Sequence, residues 1–292
     1  MKIRHAVRGA FVLVGLVSIG CTTTAHATSS MRSVTAPQTQ PPASADQVTV
    51  PLTDPSKPAA IHVSLVHGGI TVRGTNRRDV LVTVHPDADR PSRRDDPDAT
   101  GLRRLPQSAG YRVTEENNRV DVRADNPNRA VRFDIEAPRR ANLVLKTVNG
   151  GDILVENVDG ELDVHNTNGG ITLNSVSGSV VAVTTNGSVH ATLTQVTAQK
   201  EMAFTSLNGN VDVTLPPSTR ANLRLRSDHS DVYSDFDVQL QPQSAPTVEQ
   251  NTRGDGRYRI NRTRSVVGTI NGGGAEFELR TFNGNVYVRK GR

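Results

Sequence analysis

Glu161 and Asp163 stand two residues apart, with Asp152 and His165 close by in the sequence. A pair of carboxylates is the minimal equipment for cleaving a glycosidic bond, provided the two face the scissile oxygen at a fixed separation. Alternation along a strand puts both on one outward face, but no aromatic ring that could seat a sugar accompanies them. His62, His67, His85, His165, His190 and His229 stand in no nucleophile–base motif. Asp87, Asp89, Asp95, Asp96 and Asp98 form an acidic cluster. It lacks the glycine turn and terminal glutamate of a calcium loop and is interleaved with Arg90, Arg93 and Arg94, so no metal and no cofactor is expected. Arg253-Gly254-Asp255 is a tripeptide that chance supplies readily in a chain rich in these residues. The residues left to meet a partner are outward strand positions, namely Asp163, Thr172, His190, Thr192 and Asp212, together with Arg253, Arg257 and Arg259 of a basic segment.

What positions these residues is a repeat. Nine short segments share one seven-residue pattern: apolar or Thr, any, Gly, any, apolar, any, apolar. In the centre, Gly150, Gly160, Gly169, Gly178 and Gly187 fall about nine residues apart. After each turn the second and fourth residues are apolar, as in Leu162 and Val164, Ile171 and Leu173, or Val211 and Val213. That period of two marks strands with one buried face. Asn precedes Gly at Asn149, Asn168, Asn186, Asn208 and Asn283, while Asp159 and Ser177 take that place in the intervening turns. Two kinds of corner therefore alternate. The asparagines suit a corner and can stack as a hydrogen-bonded ladder. The expected fold is all-β, a parallel β-solenoid of about ten coils of roughly 18–22 residues with its hand open. An antiparallel sandwich fits the turns less evenly. Open ends of such a rod need protection, and Arg289, Lys290 and Arg292 are expected to guard the C-terminal one.

The stretch from Phe133 to Phe236, with Ile270 to Lys290, resembles the bacterial adhesin-like family DUF4097. The resemblance rests on Phe133-Asp134-Ile135-Glu136-Ala137-Pro138, on the run of Asn-Gly and Asp-Gly turns, on Leu207-Asn208-Gly209-Asn210-Val211-Asp212-Val213, and on Phe282-Asn283-Gly284-Asn285-Val286-Tyr287-Val288. It implies a β-solenoid of the cell envelope and no catalytic residues.

The N-terminus sets the compartment. Lys2, Arg4 and Arg8 precede an apolar run from Ala10 to Ile19, too short for a bilayer span of about 20 residues. This is a secretory signal with two competing ends. Ser18-Ile19-Gly20-Cys21 resembles a lipobox that would leave Cys21 lipidated, although Ser18 replaces the usual Leu. Ala25-His26-Ala27 is an ordinary cleavage site. The signal therefore covers residues 1–20, or 1–27. Residues 21–58, rich in Thr, Ser, Ala, Gln and Pro, read as a low-complexity tether. Residues 59–292 read as the solenoid, with insertions near 86–110 and 242–264. The net charge of +5 falls to +2 once Lys2, Arg4 and Arg8 are removed, and aromatic residues make up 3% of the chain. Nucleic acid is not an expected partner, because a basic stripe and stacking platforms are missing. The expected function is that of a non-enzymatic, exported envelope protein binding a cell-surface polymer or envelope protein, with a membrane anchor through Cys21. A structural or envelope-stress role is the alternative, and a polysaccharide-active enzyme the third.

Overall fold

The computed structural model describes residues 45–86, 110–197, 200–241 and 265–292. Cys21, both cleavage sites, Arg253, Arg257, Arg259 and nearly all of both insertions lie outside these residues. All regular structure among the described residues is strand. Strand β1 (Asp46–Pro51) falls inside the stretch assigned from composition to the tether, so the folded body starts before residue 59.

Along the chain follow β2 (Ala59–Ser64), β3 (Ile70–Thr75), β4 (Asp79–Pro86), β5 (Tyr111–Glu116), β6 (Arg119–Ala124) and β7 (Val131–Pro138). The central part holds β8 (Ala141–Asn149), β9 (Ile153–Glu156), β10 (Asp159–Asn168), β11 (Ile171–Asn186), β12 (Val189–Val196), β13 (Met202–Asn208) and β14 (Val211–Leu215). The C-terminal part holds β15 (Ala221–Ser227), β16 (Val232–Ser234), β17 (Gln239–Leu240), β18 (Ser265–Ile270), β19 (Ala275–Asn283) and β20 (Val286–Lys290).

The parallel β-solenoid expected from the repeat is the fold of this chain. Each coil lays one strand on each of two faces. The first face carries β6, β2, β8, β10, the second half of β11, β13, β19 and β15, all parallel and in that spatial order. The second face carries β7, β3, β9, the first half of β11, β12, β14, β20 and β16. That makes eight parallel coils where about ten were expected. The remaining strands turn back antiparallel and cap the rod: β4 on β7 and β1 on β4, β5 on β6, β18 on β15 and β17 on β18. Antiparallel caps occupy edges that would otherwise template further pairing.

The spatial order departs from the chain order at both ends. The coil β2–β3 sits between β6–β7 and β8–β9. The coil β19–β20 sits between β13–β14 and β15–β16. The last strand of the chain is therefore paired on both sides. This corrects the assignment of Arg289, Lys290 and Arg292 as guards of an open end: Arg289 is instead engaged by Asp212, and β18 with β17 forms the cap. One of the nine repeat segments, the copy near Thr269, likewise forms the antiparallel β18 and no coil.

The alternation locates the core as expected. Ile153, Val155, Leu162, Val164, Ile171, Leu173, Val189, Val211 and Val213 are all buried. Phe133, Phe204 and Phe277 are the bulkiest fully buried side chains. The corners obey local rules too. Asn168, Asn186, Asn208 and Asn283 each donate Nδ2 to the Oδ1 of the asparagine in the neighbouring coil, at 2.7–2.8 Å, starting from Asn149. At the opposite corner β11 bends through shifts in register between Leu173 and Ser177, with Ser175 at φ 55° and Asn157 of the previous coil at φ 58°.

Two residues before each ladder asparagine lies a buried polar side chain. Thr147, Asn166, Thr184, Ser206 and Thr281 donate to the carbonyls of Gly68, Gly151, Gly169, Gly187 and Gly209, and Ser227 to that of Gly284, at 2.8–2.9 Å. Each bond ties one coil to the next inside a dry corner, where an unpaired carbonyl is costly. Replacing Thr184 by Val keeps the shape and removes the donor. We expect a loss of about 1–3 kcal/mol in denaturant unfolding, against less than about 0.5 kcal/mol for Thr192→Val, an exposed threonine of β12.

Candidate binding surface

Outward residues of one coil align with those of the next, because the coils stack in register at a strand spacing of about 4.8 Å. On the second face Thr172 of β11 stands opposite His190 of β12, and His190 opposite Asp212 of β14. Three of the sequence-predicted residues therefore form one continuous row. Thr192 stands in the adjacent row, opposite Thr214. Asp163 does not join them. It lies on the first face, where its carboxylate meets His165 Nε2 at 2.8 Å.

Beyond Asp212 the row runs on to Tyr287 of β20 and Tyr233 of β16. Their rings stack with centroids 5.3 Å apart and planes 13° from parallel. The Arg289 guanidinium lies over the Tyr287 ring, 4.9 Å from its centroid. Its Nε donates to both oxygens of Asp212, at 2.8 and 2.9 Å. These hydrogen bonds and the charge of Asp212 hold the guanidinium even more firmly protonated than usual. Asn285 Nδ2 donates to the Tyr287 hydroxyl at 2.9 Å, and Asn285 Oδ1 accepts from the backbone N–H of Asp231. Tyr233 is 50% exposed. Its strand β16 pairs only with β20 among the described strands, so no further strand covers that end of the row.

The aromatic pair is the part that sequence reasoning missed. The tyrosines are far apart in the chain and meet only because the last coil slots in beside β16. A signal existed: Asp231-Val232-Tyr233 and Asn285-Val286-Tyr287 share one pattern, and equal patterns occupy equal places on a coil.

Of the residues weighed for catalysis, Glu161, Asp163 and His165 share the outward side of β10, as expected, but each carboxylate there is already paired. Glu161 is bound by Lys200 and Asp163 by His165, both on the first face. Asp152 sits at the corner leading into β9, where its Oδ1 accepts from the Gly170 N–H at 2.7 Å. His67 Nδ1 contacts the Pro127 carbonyl, His85 pairs with Asp134 at 3.0 Å, and His229 packs edge-on to Phe282. Among the described residues no three His, Cys, Asp or Glu side chains gather as metal ligands. No helix among them is long and apolar enough to cross a membrane. What the second face offers is an outward row of hydroxyl, imidazole, carboxylate and phenol groups that ends on a stacked aromatic pair.

Two solved structures align with the chain at low identity. A "putative cell adhesion protein" from Clostridium sporogenes covers 85% of this chain and 100% of its own, at 8% identity and a TM-score of 0.44. A "putative adhesin" from Bacteroides fragilis covers 85% of this chain and 97% of its own, at 13% identity and a TM-score of 0.35. No curated protein matches the sequence. The family model of Toastrack DUF4097 matches residues 134–289, more than half of the chain, and the chain belongs to this family.

Proposed function

We propose that this protein is a non-enzymatic binding module of the cell envelope that holds a polysaccharide along the row from Thr172 to Tyr233. The observation that carries this reading is the stacked Tyr233–Tyr287 pair continuing a line of outward polar groups. A sugar ring presents an apolar face and a polar rim. The half-exposed Tyr233 ring offers the first a flat apolar partner, and Asp231, Asn285 and Asp212 offer the second hydrogen-bonding groups. A chain of sugars laid along several coils sums weak contacts, so affinity grows with polymer length. Export follows from the signal at residues 1–20 or 1–27, and Cys21 supplies the membrane anchor where the lipobox-like run is the one used.

Retention of the full-length protein on insoluble envelope polysaccharides tests the reading. The double replacement of Tyr233 and Tyr287 by Ala should weaken retention about tenfold or more, since each aromatic contact is worth about 0.5–1.5 kcal/mol beyond its area. Single changes at Thr172 or His190 should weaken it by only about twofold. Failure to retain any such polymer, or equal retention by the double variant, overturns the proposal. Polymer cleavage that disappears in Glu161→Gln while binding persists establishes the enzyme reading in its place.

A further inference from the structure

A concave feature lies on the other face of the rod, near its N-terminal end. It is an open groove of about 430 Å³ whose walls include His62, Ser64, Arg123, Val144 and Lys146. The register explains how these residues gather. Ser64 of β2 stands opposite Arg123 of β6 on one side and Lys146 of β8 on the other. With strands about 4.8 Å apart, both long cationic side chains are rooted within one strand spacing of the Ser64 hydroxyl and can close over it. His62 is two residues back on the same strand and so on the same face, between Asp121 and Val144.

The charges do not cancel. Asp121 is the carboxylate in the groove wall, and it is held by Arg119 at 3.0 Å and by Arg123 at 3.7 Å. Lys146 has no carboxylate partner among the described residues and is exposed. The imidazole of His62 feels the same imbalance. Burial lowers its pKa first, the Arg119 charge adds to this, Asp121 opposes, and Lys146 and Arg123 lower it further. Those are the charged groups facing it from the two strands packed on either side of β2.

We propose that this groove is a phosphate-class oxyanion site, in which Arg123 and Lys146 flank the anion, Ser64 Oγ donates from below and His62 donates from the side. A dianionic phosphate matches two flanking cations in charge. Donors converging from three adjacent strands suit a tetrahedral anion better than a planar carboxylate. The site is separate from the tyrosine row, being on the opposite face, and uses none of its residues. Bound anion favours the protonated imidazole, so anion binding and His62 protonation strengthen each other.

The test is an NMR titration of the histidine imidazoles in the full-length protein, with inorganic phosphate against chloride at equal ionic strength. Phosphate should raise the His62 midpoint by about one pH unit, which corresponds to about tenfold tighter binding to the protonated form. His165, on the same face and paired with Asp163, serves as the internal control and should move far less. Lys146→Ala and Arg123→Ala should each weaken phosphate binding by about tenfold, while Tyr233→Ala should leave it unchanged. A His62 midpoint indifferent to phosphate, or moving no further than His165, overturns the proposal. So does undiminished binding in Lys146→Ala. Attachment to phosphatidylglycerol vesicles without any His62 response to inorganic phosphate also overturns it, because the cations would then serve a lipid surface and no defined site.

Discussion

A chain that stops at residue 264 should lose two coils rather than one. The missing part carries β18, β19 and β20, of which β19–β20 is an inner coil of the stack. Among the described strands β15 pairs only with β18 and β19, β16 only with β20, and β17 only with β18. All three would remain in the polypeptide with every ladder partner gone. Leu223, Leu225 and Phe236, now buried, would lose their cover. At about 1.5–3 kcal/mol for each large apolar side chain, their exposure alone costs roughly 4.5–9 kcal/mol. In a rod stacked in chain order, losing the last coil removes one nearest-neighbour interface. Here it removes two interfaces and a cap. The truncated chain should keep hydrogen-exchange protection from β2 through β12, lose it from β15 to β17, and aggregate through the newly open edges of β13 and β14. Continued protection of residues 221–236 after truncation would show that β15–β16 can dock directly onto β13–β14, and the intercalated order would then be dispensable.

That spatial order is what the sequence did not disclose, and the reason is physical. Strand period and corner chemistry are local, so Leu162 inside, Asp163 outside and Asn168 at a corner can be read from a few neighbouring residues. Coil-to-coil pairing is different. Leu207-Asn208-Gly209-Asn210-Val211 and Phe282-Asn283-Gly284-Asn285-Val286 present nearly the same edge, and Ser227 supplies the same buried donor in β15. Any such coil fits against any other, so the pattern announces stacking without naming neighbours. The tyrosine pair and the phosphate groove were hidden for that reason, since each is assembled from strands whose adjacency is set by stacking order. The repeat also misled in detail. Its first position faces solvent at Val66, Val148, Leu207 and Phe282, with exposures of 39–45%, although it is buried at Val158 and Val176 before the intervening turns. The inward place belongs to the preceding residue, usually a hydroxyl or amide, and a polar residue before an Asn-Gly turn looks from sequence like ordinary loop chemistry.

Gly187→Ala should rank among the most damaging single methyls that can be added at the Asn-Gly corner. A Cβ on Gly187 would lie 2.3 Å from the carbonyl oxygen of Gly169 and 2.5 Å from its carbonyl carbon. Both are backbone atoms of the adjoining coil, so no side chain can swing aside. The column repeats along the rod, with Gly209 over Gly187 at 2.2 Å and Gly284 over Gly209 at 2.2 Å. The threatened carbonyl also accepts the buried bond from Thr184 Oγ1 at 2.8 Å, and the Gly169 N–H is bound to Asn186 O at 2.8 Å. Relieving the clash means prising the coils apart where ladder, hydroxyl bond and backbone bond all meet. Overpacking of this kind typically costs about 1–3 kcal/mol, and the lost bonds add to it, giving roughly 3–5 kcal/mol. Gly170→Ala, one residue past Gly169 in the adjoining coil, is the matched control. Its Cβ finds its nearest neighbour, Ser188 O, at 3.4 Å. There the narrower unfolded ensemble of Ala offsets about 0.4–1 kcal/mol, and the net change should be close to zero. Denaturant midpoints of the two variants decide the matter. A separation of several kcal/mol means that these glycines serve as the contact surface between coils. Equal midpoints would mean that the coils can slide apart by the width of a methyl group, and the asparagine ladder, which depends on the same spacing, could not then be what fixes their register.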